Sequence, residues 1–234
     1  MPHMGARGGF LAMAILSTAC ATLGLGIPRS IHNEERNASP TSRIQLTSIF
    51  GLSAAFLFMS ALVGFWVFVE PLANVNHAST FVKDYAVSIN LACQILAAVL
   101  CTLYAARIAR NSLGTVIASA IAFLLIICIA ALGLGSGAFL AVVALHGALW
   151  VVGLAAFTPM MIYLDPTRRG AVLLHGALLI GGSFGPLIMG WFSTEDNLMP
   201  VLLLSGIYSA GWLGCTVLAE TQRRRRHLQD LRCG

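Results

Sequence analysis

Leu113–Leu132 (LGTVIASAIAFLLIICIAAL), the turn Gly133–Gly137 (GLGSG) and Ala138–Tyr163 (AFLAVVALHGALWVVGLAAFTPMMIY) run on without one Asp, Glu, Lys or Arg. A helix needs about 20 apolar residues to cross the hydrocarbon layer, and both flanking runs reach that length. Inside lipid every backbone N–H and C=O must be paired within the segment, so a run of this kind is a helix. The glycine cluster between the runs punctuates them as a turn. The stretch therefore predicts two consecutive, oppositely directed membrane helices.

The rest of the chain repeats this reading. Apolar residues make up 58% of it and charged residues 10%, whereas a soluble domain carries roughly a quarter charged residues. The charges are bunched between long apolar runs, which excludes soluble and disordered classes. Further spans are expected over Gly9–Pro28, Thr47–Val69, Phe81–Ala106, Gly170–Phe192 and Met199–Leu218. The fold class is thus an all-α integral membrane bundle of about seven helices. It divides into a first membrane helix (residues 1–28), a cytoplasmic linker (29–46), a six-helix part (47–219) and a basic cytoplasmic tail (220–234).

Short cytoplasmic loops are enriched in Lys and Arg. Arg29, Arg36 and Arg43 fall in one connection, Arg107 and Arg110 in another, Arg168 and Arg169 in a third, and Arg223–Arg226 after the last span. These are alternate connections, so all can share one side, with Arg7 and Lys83 alone on the other. The expected topology puts the N-terminus outside and the C-terminus inside the cytoplasmic (inner) membrane. Arg7, a short apolar core and Ala19-Cys20-Ala21 also resemble a secretory signal peptide. Removing it from a six-helix remainder would invert every later loop against the arginine pattern.

Two motifs carry a family resemblance. Gly181-Gly182-Ser183-Phe184-Gly185-Pro186-Leu187-Ile188-Met189-Gly190 resembles the G-x-x-x-G-P-x-x-G-G pattern of major facilitator superfamily transporters. Gly181, Gly185, Pro186 and Gly190 match, and Met189 departs. Independently of any family, glycines four apart let helix backbones approach closely, and a proline removes one backbone hydrogen bond. Thr102–Asn111 (TLYAARIARN) looks like a worn copy of the family's cytoplasmic G-x-L-A-D-R-x-G-R-R loop, keeping Ala105, Arg107 and Arg110 but lacking its acidic residue. Phe65–Glu70 is similar to part of the seventh helix of some bacterial members.

That family has twelve helices in two six-helix halves, each half made of two three-helix units of inverted topology. One helix, a polar linker and six more helices resemble its helix six, central loop and C-terminal half. The resemblance implies transport of a small solute by alternating access, from a truncated or half-length transporter that pairs with a second chain or with itself. It implies no covalent chemistry and no cofactor.

Polar groups inside membrane helices are costly and are the first candidates for substrate contact. Asn90 and Gln94 lie one turn apart and share a face, as do His146 and Trp150; His175 lies near the cytoplasmic end of its span. Such groups equally serve as hydrogen bonds between helices. Glu70 and Asp165 sit at helix ends, where contact with water is expected. The six cysteines show no metal-ligand spacing, and no His/Cys cluster predicts a metal. No nucleophile–base pair points to an enzyme. A retinal protein needs a lysine deep in its last helix, but the one lysine, Lys83, stands at a helix start. A non-transporting membrane partner or a seven-helix receptor-like protein remains the alternative reading. The expected partners are the lipid bilayer and an unidentified solute, and the basic tail reads as a lipid anchor, not a nucleic-acid site.

Overall fold

The computed structural model describes residues 45–165, 168–194 and 197–233. The expected span over Gly9–Pro28, its signal-peptide rival and nearly all of the linker lie outside the described residues. The described part is all-helical: α1 (Leu46–Val67), α2 (Val69–Val75), α3 (Thr80–Leu103), α4 (Ala105–Arg110), α5 (Ser112–Ala131), α6 (Ser136–Leu164), α7 (Arg169–Phe192) and α8 (Met199–Cys233). Among the described residues six helices (α1, α3, α5, α6, α7 and α8) are long and apolar enough to cross a membrane.

Local chemistry explains the breaks. Ser79 caps α3 by accepting from the Val82 N–H, one of the donors a helix start leaves unpaired. The turn before α6 needs positive φ at Gly133 and Gly135, where glycine carries no penalty. Pro71 falls in the first turn of α2, where a missing N–H costs nothing. Three elements differ from the sequence expectation. The loop motif over Thr102–Asn111 is largely helical, in the end of α3 and in α4. Helix α8 does not stop near Leu218 but continues through the arginine run. Arginine, glutamine and leucine favour helix, and Arg224 Nε meets Glu220 Oε1 one turn back at 2.6 Å. Asp165, expected in water, is 1% exposed: its Oδ2 accepts from Ser48 Oγ and from the Gly170 N–H, both at 3.0 Å.

Contacts at the two ends order the connections. At one end the Ser79 N–H donates to Ser136 Oγ, joining the turn before α3 to the turn before α6. At the other, Thr47 Oγ1 donates to the Leu164 carbonyl, and Arg223 bonds the Tyr163 hydroxyl. Arg110, Arg168 and Arg223 thus gather at one end of the bundle.

The packing has an internal regularity. α1 packs against α7 and α8, while α6 packs against α3 and α5; α5 meets α8, and α1 meets α6. Exchanging α1, α3 and α5 for α6, α7 and α8 in turn reproduces these pairs, while the smaller contacts of α7 with α6 and with α8 have no counterpart of that size. The core between them is aromatic: Phe58 packs on Phe157 and Trp212, with ring centroids 5.0 and 4.9 Å apart. The outer faces of α3 and α7 stay apolar and open, with Ile95 67%, Val172 79% and Leu179 73% exposed. A water-soluble monomer rarely exposes so continuous an apolar surface; hydrocarbon covers it without cost.

Candidate functional site

Polar side chains meet at one point inside the bundle. His146 of α6 is fully buried. Its Nε2 lies 3.2 Å from the Leu62 carbonyl of α1, and its Nδ1 lies 3.2 Å from Asn90 Nδ2 of α3. Asn90 Nδ2 also donates to the Val143 carbonyl at 3.0 Å, while Asn90 Oδ1 accepts from Gln94 Nε2 at 2.7 Å. An amide nitrogen has two protons and no acceptor capacity. Asn90 gives one to Val143 and the other to His146, so Nδ1 is the acceptor. The imidazole is then the neutral Nε2–H tautomer, donating to Leu62. Every polar atom of Asn90 and His146 has a partner, as a low-dielectric interior requires.

Rings enclose the imidazole. Trp66 stacks on it at 5.3 Å and 17°, Phe65 at 5.7 Å and 26°, and Trp150 meets it edge-on at 5.8 Å and 70°. Phe123 of α5 lies 5.9 Å away. Close approach of α3 and α6 depends on Gly147, where a Cβ would press on the Asn90 carbonyl.

The exit from this cluster is Gln94. It is half-buried and gives one amide proton to Asn90. Its carbonyl oxygen and second N–H remain for whatever lies against α3. Trp66 and Trp150 are half-buried as well. This arrangement can hold a small polar molecule by amide hydrogen bonds beside indole faces. It contains no nucleophile with an adjacent base. Among the described residues no group of three or more His, Cys, Asp or Glu is placed to hold a metal ion.

The structure therefore joins Asn90, Gln94, His146 and Trp150, from two separate stretches of sequence, into one cluster. His175 does not join it: it is exposed on the outer side of α7. Gly181 and Gly185 face α1, where a Cβ would drive into the Phe56 and Ser60 carbonyls respectively. Ser60 Oγ lies 2.9 Å from the Phe56 carbonyl and 3.0 Å from that of Gly181, tying the same seam. Pro186 lies within α7. Gly190 is exposed, with ordinary contact distance to Phe68. Arg107 and Arg110 are exposed on α4. Sequence reasoning missed Leu62, Phe65, Trp66 and Phe123 as members of the cluster. The aromatic pair Phe65-Trp66 stood out, but nothing local tied it to a histidine in a distant helix.

Among the described residues, six long apolar helices around a buried polar hub are the make-up of a polytopic helical membrane protein. Comparison of the chain with family models, curated proteins and solved structures finds no match.

Proposed function

We propose that this chain moves a small solute across a membrane by alternating access, as the C-terminal part of a transporter resembling the major facilitator superfamily. The observation that carries the reading is the packing regularity: the most extensive helix pairs are exchanged when α1, α3 and α5 are swapped in turn for α6, α7 and α8, as expected of two three-helix units of inverted topology. The hub supports it. An intramembrane polar cluster is expensive unless it serves a purpose, and Gln94 leaves two hydrogen-bonding groups unused at its edge. The arginine-rich end faces the cytoplasm in this reading, by the positive-inside rule. A second six-helix unit supplies the other wall of the solute path against α3.

The test is water access at Gln94. In a background with the six native cysteines replaced, Gln94→Cys and Ile95→Cys are treated in membranes with a membrane-impermeant thiol reagent. A solute path predicts fast labelling at Gln94→Cys and none at Ile95→Cys, which faces lipid. Equal inertness at both positions would leave Gln94 as helix packing and remove the solute path.

A further inference from the structure

α3 has the smallest buried share of the six long helices, and among them it packs extensively on α6 alone. The Ser79 N–H ties the turn before it to Ser136. Along the helix itself, among the described residues, the side-chain bonds that reach α6 all come from Asn90, to the Val143 carbonyl and to His146.

The hydrogen bonds of this network all run one way. Gln94 donates to Asn90, Asn90 to His146 Nδ1, and His146 Nε2–H to the Leu62 carbonyl. The chain closes only while Nδ1 is bare, because in the imidazolium both ring nitrogens donate. A proton on Nδ1 sets N–H against N–H. Turning the Asn90 amide over would offer that proton an oxygen, but it sets two amide N–H groups against each other at Gln94 and strips the Val143 carbonyl of its donor. The charge also lacks a counter-ion. The groups around the ring are Leu62, Phe65 and Trp66 of α1, Asn90 of α3, Phe123 of α5, and Trp150 of α6. α1, α5 and α6 contain no Asp, Glu, Lys or Arg. α3 has Lys83 and Asp84, both exposed and more than a turn before Asn90. The other titratable groups on these helices are Tyr85, Cys93 and Cys101 of α3, Cys128 of α5 and Tyr163 of α6; none bonds or stacks on His146. The aromatic faces attract a cation, but by less than the hydration that burial removes.

We propose that the α3–α6 seam is a pH-operated latch, shut while His146 is neutral and opened at Asn90 when the imidazole takes a proton. Opening lets water solvate the charge. The shut seam excludes a proton from Nδ1 and the open seam binds it, so acid favours opening and alkali closure. Below the ordinary histidine value of about 6.5, the open-to-shut ratio should rise by up to about tenfold per pH unit. Neither the latch nor its proton requires a solute.

The test is the distance between the two helices as pH changes. In the full chain with its six native cysteines replaced, nitroxide labels are placed at Thr102→Cys on α3 and Thr158→Cys on α6, both exposed positions. Distances are measured by pulsed electron paramagnetic resonance in lipid nanodiscs from about pH 8 to about pH 4.5, a range that brackets the titration of histidine. A second, longer distance should grow as pH falls and vanish when it is raised again. His146→Gln is the decisive variant: its carbonyl can accept from Asn90 and its N–H can donate to Leu62, with nothing to titrate. It should keep the short distance at every pH. Asn90→Asp gives the imidazolium a carboxylate and should likewise hold the seam shut in acid, while His175→Gln should open as the parent does. One unchanging distance in the parent, or the same opening in His146→Gln, overturns the proposal. If His146→Gln does not fold, Asn90→Asp decides: opening in acid as in the parent overturns the latch.

Discussion

The α1–α7 seam and the α3–α6 seam occupy corresponding places in the bundle, yet side chains take a larger part in the second. At α1–α7 the backbones themselves touch: Gly181 and Gly185 lie against the carbonyls of Phe56 and Ser60. At α3–α6 one such contact, Gly147 against the Asn90 carbonyl, is joined by a side-chain network from Asn90 to Val143 and His146. Backbone contact through glycine has a single geometry, because displacing it opens a gap that no side chain can fill. A side-chain network can break and re-form, because amide and imidazole groups find other partners in water or on a ligand. The two seams thus differ in how much of the join is backbone and how much is side chain.

Substitutions at the two seams test this division. The largest effect is expected for Gly185→Leu, whose side chain has no space beside the Ser60 backbone. It should cost about 3 kcal/mol or more and abolish a monodisperse, folded species in detergent. A melt within about 1 kcal/mol of the unaltered protein would show that the seam is not held by backbone contact. His146→Leu comes next. It leaves an Asn90 proton without its acceptor inside the bundle, at a cost of about 2 kcal/mol, read as a lower melting temperature in a folded protein. If His146→Leu proves more destructive than Gly185→Leu, the side-chain network and not the glycine contact is the stronger join.

A finer contrast comes from Gln94→Leu. Gln94 bonds Asn90 one turn back on its own helix, a pair worth about 0.5 kcal/mol or less, so stability should fall by no more than that. In the reading proposed above, solute binding should nevertheless be lost. A large loss of stability would make Gln94 a structural member of the hub. The smallest effect is expected for Gly190→Ala. A Cβ there meets only Phe68, at 3.9 Å, so the melt should stay within about 0.5 kcal/mol. A strong effect would extend the glycine seam beyond Gly181 and Gly185.

Periodicity and charge alone showed that Asn90 and Gln94 share a face, and that His146 and Trp150 share another. Those pairs are four residues apart in a helix, and helix geometry puts such residues on one side. The same reasoning could not join the two faces. Asn90 and His146 are 56 residues apart, and which helix faces which is decided by side-chain packing. His175 illustrates the limit from the other side: an intramembrane histidine by position, it faces outward because Leu174 and Leu178 mark the buried stripe of α7. The glycine motif was legible as a close-packing signal. Its division into buried Gly181 and Gly185 and exposed Gly190 was not, since Gly190 departs from the four-residue spacing that keeps a glycine on one stripe.

By itself the sequence determined the class of molecule and the places of six long apolar helices. Hydrocarbon solvent imposes a length and an apolar composition that no neighbour can alter, and six of the expected spans are helices among the described residues, five of them close to the expected limits. Tertiary structure decided what local patterns cannot express. It buried Asp165 against the starts of α1 and α7, and continued α8 through its arginines. It brought Leu62, Trp66 and Phe123 around His146. Each of these outcomes depends on a partner distant in sequence, and the energy that selects a partner exists only when the helices are packed.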